Sequence, residues 1–151
     1  MTWKSEQYEG DAQVELLAQV AVSWGFQRPV SSLELTDGCW FAMYRGSELA
    51  LIYWFERFNI SPTDAGLHYV VSPHVRKAWP VRFWLNEVIP FARKSGVQRL
   101  LAHVDGLPLV YLYRYVDIWN RRHEDVLTID FAQWHNGKQV VAIALGAEHG
   151  S

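Results

Sequence analysis

The stretch Gly66-Leu67-His68-Tyr69-Val70-Val71-Ser72-Pro73-His74-Val75-Arg76-Lys77-Ala78-Trp79-Pro80-Val81 changes from one periodicity to another. Gly66 to Val71 is β-branched and aromatic, the composition of a strand, and Ser72-Pro73 stops it because proline cannot donate to a ladder. Period-two alternation puts His68 and Val70 on one face of that strand and Leu67, Tyr69 and Val71 on the other. From Val81 to Ser95 the apolar residues Phe83, Trp84, Val88, Phe91 and Ala92 recur at helical spacing, and Gly96 closes the run. Pro90 lies inside this pattern and is expected to kink it, having no N–H to donate and clashing with the preceding turn.

Upstream, Val14, Leu17, Ala18, Ala21 and Val22 mark a helix over Asp11 to Trp24, with Asp11 as its cap and Gly25 as its terminator. Arg28 to Thr36 reads as mostly loop. Cys39 to Tyr44 and Glu48 to Phe58 are strand-like and joined by Arg45-Gly46-Ser47, a hairpin signal. Asn59 to Asp64, with Pro62, reads as a turn. Downstream, Val97 to Val104 reads as a buried strand, while Leu109 to Val116 suits strand or helix equally. Trp119 to Phe131 and Lys138 to Leu145 read as two final strands about the Asn136-Gly137 turn. Strands alternating with helices, together with meanders, predict an α/β or α+β domain with helices on the faces of its sheet.

The 151 residues suit one domain, taken as 1–151, large enough to fold without disulfide or metal. Half the residues are hydrophobic and a fifth charged, which excludes a disordered chain. Fourteen basic against sixteen acidic residues, with a pI near 6.3, argue against a general nucleic-acid binder. Cys39 alone makes neither a disulfide nor a cysteine-based zinc site, so a reducing compartment is expected. Met1 to Gly10 hold two Glu and no apolar run, so no secretory leader is expected. No apolar stretch reaches the roughly 20 residues of a membrane helix, and a soluble protein follows. Eight Trp, seven Tyr and seven Phe raise the odds of a partner surface, a homo-oligomer included.

The strand ending Val71-Ser72-Pro73-His74-Val75-Arg76, followed by a loop and a helix, resembles the cofactor-binding core of the GNAT (Gcn5-related N-acetyltransferase) superfamily. That family carries Val-x-Pro-x-x-Arg and then a glycine-rich loop that opens a helix. Leu112-Tyr113-Arg114-Tyr115-Val116-Asp117-Ile118 resembles the family's closing Leu-Tyr-x-x-x-Gly-Phe. The resemblance covers roughly residues 40 to 118, and the element order extends it to the whole chain. It implies a mixed, mostly antiparallel sheet flanked by helices, with Leu109 to Val116 a helix and Thr2 to Tyr8 the first strand. The strands ending at Val71 and Val104 would splay to admit a pantetheine arm.

The resemblance implies N-acyl transfer, of acetyl in the first instance, from a CoA thioester to an unidentified amine, with acetyl-CoA held by Val71, Arg76, Lys77, Ala78, Trp79, Val81, Arg82 and Asp105. Trp79 and Val81 stand where the family has glycine, Asp105 where it often has Asn, and Pro80 removes an amide from the helix start. Losing one charge-assisted hydrogen bond there costs about 1.5–3 kcal/mol. Tyr113 stands where many members place the acid that protonates the departing thiolate. For the base that takes the amine's proton, element order favours His68 and Glu56. Chains of this size with a degenerate loop also resemble GNAT-like tailed-phage head-assembly or internal virion proteins. That alternative is non-catalytic, with virion proteins as partners and the virion in place of the cytoplasm. His103 with Asp105 forms an i, i+2 pair able to orient an imidazole, whereas His123-Glu124-Asp125 reads as a solvated strand or turn, and Cys39 beside Trp40 as core.

Overall fold

β-Branched and aromatic runs become seven strands among the described residues: β1 (Trp3–Tyr8), β2 (Cys39–Arg45), β3 (Glu48–Arg57), β4 (Asp64–Val71), β5 (Arg99–Ala102), β6 (Thr128–Gln133) and β7 (Gln139–Ala144). The helices are α1 (Asp11–Ser23), α2 (Ala78–Lys94) and α3 (Leu109–His123). This computed structural model describes residues 3–26, 30, 35, 39–57, 63–75, 78–103, 109–133 and 137–146, with the backbone alone at 57, 78–84 and 109. The strands form one mixed, mostly antiparallel sheet in the order β1-β2-β3-β4-β5-β7-β6. Leu109 to Val116 is helical and Trp3 to Tyr8 is a strand, as the family resemblance implies. By contact density the chain divides into two units, 1–56 with 68–80 and 57–67 with 81–151.

In the first unit β1 runs antiparallel to β2 from Trp3↔Arg45 to Tyr8↔Trp40, and β2 runs antiparallel to β3 through the two-residue loop Gly46-Ser47. The β2–β3 ladder is irregular: Tyr44 faces Leu49 and Met43 faces Leu51, so Ala50 has no opposite number. Such a bulge shifts the register by one, and because side chains alternate it exchanges the two faces of the strand beyond it. Trp40 therefore lies opposite Trp54, where an unbroken ladder would set it opposite Tyr53. Helix α1 buries Val14, Leu17, Ala18 and Ala21 against Trp40, Ala42, Ile52 and Trp54 on that face. At about 1.5–3 kcal/mol for each large apolar side chain taken from water, this contact orders the unit. On the opposite face Phe41 stacks on Tyr53 at 4.8 Å.

The cap of α1 differs from the expectation. Gly10, at φ 90°, is the N-cap and makes no side-chain cap bond, while Asp11 is the first helical residue. The chain leaves β1 through a backbone conformation open to glycine and costly for aspartate, and Asp11 acts only through its charge near the helix start. At the other end Phe26 N–H donates to Ala21 O and Gly25 N–H to Val22 O, with Gly25 at φ 97°. This is a Schellman turn. Tyr8 and Tyr44 join β1 to β2 through their hydroxyls at 2.5 Å. Burial first, then that bond, pushes the Tyr44 phenol up to about 12.

In the second unit Asp64–Leu67 of β4 pairs parallel with Arg99–Ala102 of β5, β5 pairs antiparallel with β7, and β7 with β6. The parallel ladder ends at Leu67↔Ala102, and β4 continues for four residues to Val71. Helix α2 begins at Ala78, earlier than the sequence pattern indicates, and runs through Pro90 to Lys94. Its described buried positions are Leu85, Val88, Ile89 and Ala92, with Phe91 half-buried.

One expectation fails here. Trp119 to His123 is helix, not strand. Leu112, Val116 and Trp119 are buried at helical spacing, so burial of one stripe overrides the local strand propensity of Ile118 and Trp119. Helix α3 then ends with Glu124 at φ 50° and Asp125 N–H donating to Asn120 O. Asp125 is not solvated turn either; it is buried. Arg93 donates to it twice, Nη1 to Oδ2 at 2.6 Å and Nη2 to Oδ1 at 2.9 Å. Trp119 Nε1 donates to Oδ2 at 3.0 Å and Val126 N–H to Oδ1 at 2.8 Å. Arg93 also donates to Leu145 O, tying the end of α2 to the end of β7.

The Arg93 bond, aided by those from Trp119 and Val126, holds the Asp125 carboxyl far below the usual carboxylate range despite its burial. A depressed folded-state pKa stabilises fully above the unfolded value near 3.9, and that contribution disappears as pH falls toward the folded one. Asp125→Asn strands a buried guanidinium, and the expected loss at pH 7 is about 3–5 kcal/mol, measured by urea denaturation. Between pH 5 and pH 2 the wild type should lose stability more steeply than the variant.

Candidate active site

The bulge at Ala50 places Ile52, Trp54 and Glu56 on the α1 face of β3. Ser72 N–H donates to Ala50 O at 2.8 Å, which joins the end of β4 to that same residue. Counting in twos along antiparallel strands from this bond sets Trp54 beside His68. Their rings stack at 5.1 Å and 18°, and Trp54 in turn stacks on Trp40 at 4.3 Å and 8°. Phe26, placed by the Schellman turn, presents its edge to Trp54 at 5.0 Å and to His68 at 6.2 Å. Three strands and the exit of α1 thus hold one imidazole in a wall of rings.

His68 Nε2 lies 2.9 Å from Glu56 Oε2, and both residues are 3% exposed. An ionised carboxylate only accepts, so with Glu56 charged the proton of this bond sits on Nε2. In the neutral imidazole Nδ1 is then the basic nitrogen. A buried carboxylate without such a partner would cost several kcal/mol, and here Glu56 fixes both the tautomer and the orientation of the ring. Trp54 Nε1 is buried and donates to no acceptor among the described residues.

Because Ser72 N–H points to β3, alternation turns Val71 N–H to the opposite edge of β4, past the last pair of the parallel ladder. His74 N–H then donates to Ser72 Oγ at 3.2 Å and Val75 N–H to Ser72 O at 3.2 Å. This tight turn buries Val75 and leaves His74 exposed. The backbone of Ala78, Trp79, Pro80, Val81 and Arg82 forms the start of α2. Arg76, Lys77 and Asp105 lie outside the described residues, and with Asp105 the expected pairing to His103.

The structure therefore brings Glu56 and His68 together and puts Val71 at the end of the strand that carries His68. Tyr113 belongs to the second unit, 47% exposed on α3 between the buried positions Leu112 and Val116. Cys39 is half-buried beside the fully buried Trp40. Among the described residues no group of three or more His, Cys, Asp or Glu is placed to hold a metal, and no helix is long and apolar enough to cross a membrane. Sequence reasoning missed Phe26, Trp40 and Trp54 as walls of the site. Their aromatic character was visible, but their meeting depends on the one-residue shift at Ala50.

Solved structures share this architecture. The ribosomal-protein-S18-alanine N-acetyltransferase from Escherichia coli superposes with a TM-score of 0.64 at 13% identity, over 99% of this chain and 97% of that one. The chain has the GNAT fold. An IAA acetyltransferase from Bacillus cereus matches with a TM-score of 0.60 at 13% identity, covering 95% of this chain and 99% of the other. An N-acetyltransferase from Staphylococcus aureus matches at 0.58 and 9% identity, over 95% and 96%. No family model and no curated protein matches the chain.

The rings that hold the imidazole also stabilise this GNAT fold. Phe26→Ala should cost about 3 kcal/mol, the lower end for a phenylalanine deletion since Phe26 is half-buried. Urea denaturation measures the loss, and imidazole NMR resonances should broaden as His68 loses its edge contact.

Proposed function

We propose that this chain is an N-acyltransferase that passes an acyl group, acetyl in the first instance, from a CoA thioester to an amine. The observation that carries this is the buried Glu56–His68 pair, which joins β3 to β4, the strand that ends at Val71. The GNAT fold of the neighbours named above supports the same reading.

The donor set fits an anionic, thioester-bearing ligand. The first turn of the 17-residue helix α2 offers the amides of Ala78 and Trp79, and helix N-termini favour anions. Pro80 withholds a third amide, so Arg76, Lys77 and Arg82 are assigned the remaining charge on the diphosphate, and the family resemblance assigns Val81 and Asp105 to the same cofactor. When bound, the thioester supplies an activated acyl carbon. His68, oriented by Glu56, takes a proton from the incoming ammonium through a hydrogen-bonded water, since both side chains are nearly closed to solvent. The amine nitrogen then has a lone pair to form the amide bond, and the second proton it sheds as that bond forms replaces the one Tyr113 gives up. Val71 N–H donates to the carbonyl oxygen as negative charge develops there, and Tyr113 O–H protonates the sulfur as the carbon–sulfur bond breaks. We assign the whole of 1–151 to one working domain, supported by matches spanning 93–99% of the chain, and we place it in the cytoplasm.

A second reading, a non-catalytic assembly module such as a phage virion protein, draws on one feature, the amide that Pro80 removes from the start of α2.

Thermal-shift measurement with acetyl-CoA separates the two. At 100 times the dissociation constant a ligand adds about 2.7 kcal/mol, a rise in Tm of roughly 2–4 °C or more for a domain near this size. His68→Gln and Glu56→Gln should keep that shift while lowering kcat/KM on an amine panel by roughly 10²–10⁴-fold. Trp79→Gly should tighten acetyl-CoA binding by opening the helix start. Absence of both a shift and acyl transfer at millimolar acetyl-CoA favours the assembly module.

A further inference from the structure

We propose that two copies of this chain join antiparallel through their β1 strands, about a two-fold axis at Ser5, so that their sheets become continuous. This inference is independent of the catalytic reading. Among the described residues strand β1 is the outermost strand of the sheet and has a single strand neighbour, β2. An edge of six residues presents a row of backbone donors and acceptors to any strand of matching pattern.

The pattern of β1 matches itself. Trp3-Lys4-Ser5-Glu6-Gln7 places a cation and an anion symmetrically about Ser5. In an antiparallel pair centred there, Lys4 of each copy lies opposite Glu6 of the other, Trp3 lies opposite Gln7, and Ser5 meets Ser5. Lys4 and Glu6 are on one face of the strand, their heads 3.1 Å apart and exposed at 68% and 44%. Two such pairs brought together make a square of alternating charges, in which each ammonium has a carboxylate beside it along the strand and another across the junction. Opposite charges facing each other across strands stabilise the pair, and like charges destabilise it. A two-fold interface needs this self-complementarity.

The other edge of the sheet lacks it. Pairing β6 about Asp130 would set two carboxylates face to face, and its exposed apolar residue is Phe131. A second copy at β1 is therefore the occupant that the charge pattern selects.

Sedimentation velocity on the full chain, over concentrations reaching high micromolar, tests the proposal. The wild type should show a reversible dimer that weakens with salt. Lys4→Glu puts a carboxylate opposite Glu6, and Glu6→Lys puts an ammonium opposite Lys4. Each should weaken the dimer about tenfold or more, with circular dichroism and Tm unchanged at these exposed positions. The double swap Lys4→Glu/Glu6→Lys should restore dimerisation, and mixing the two single variants should give a heterodimer. A chain that stays monomeric throughout, or a dimer indifferent to both reversals, overturns the proposal. So does a dimer lost only with Phe131→Lys, which would locate the contact on β6.

Discussion

The extra residue Ala50 in β3 decides what the first unit contains. Without it Tyr53 and Phe55 would face α1, and Glu56 would point away from Trp40 and the helix. With it, Trp54 completes a stack that runs from Trp40 to His68, and Glu56 arrives within hydrogen-bond distance of that histidine. The bond from Ser72 N–H to Ala50 O then fixes where β4 ends relative to the same bulge. One irregular residue thus sets the partner of the imidazole, the ring it stacks on and the edge to which Val71 turns its amide. Bulges re-aim side chains in this way because a strand has only two faces.

The second unit is held differently. There a carboxylate, not a register shift, joins distant elements: Asp125 collects both arms of Arg93, the indole of Trp119 and its neighbour's amide, while Arg93 also reaches the end of β7. Every polar atom of that junction brought inward is met by a partner, the condition under which a buried ion pair is tolerated. The two units use opposite devices, aromatic stacking in one and a satisfied ion pair in the other.

Much of the fold was legible in the residues themselves. The helical stripes of α1 and α2 and the hairpin about Gly46 follow from spacing and turn chemistry, and the family resemblance supplied the helix at Leu109 and the strand at Trp3. The end of α3 was misread because Ile118 and Trp119 have strand propensity, and only the burial of Leu112, Val116 and Trp119 together reveals the helix. Asp125 looked solvated because its partner Arg93 is 32 residues away. Of the site, Glu56 and His68 were identified by element order. Their closeness and their walls were not, since both depend on a bulge that no local propensity marks.

The ring stack also has an optical consequence. Two indoles 4.3 Å apart and nearly parallel couple their electronic transitions, so Trp40 and Trp54 should absorb as a joined pair and give a paired positive and negative band in circular dichroism. An imidazole against the outer indole lets its charge state colour that signal. The protein thereby carries a native chromophore at its candidate centre, readable without any label.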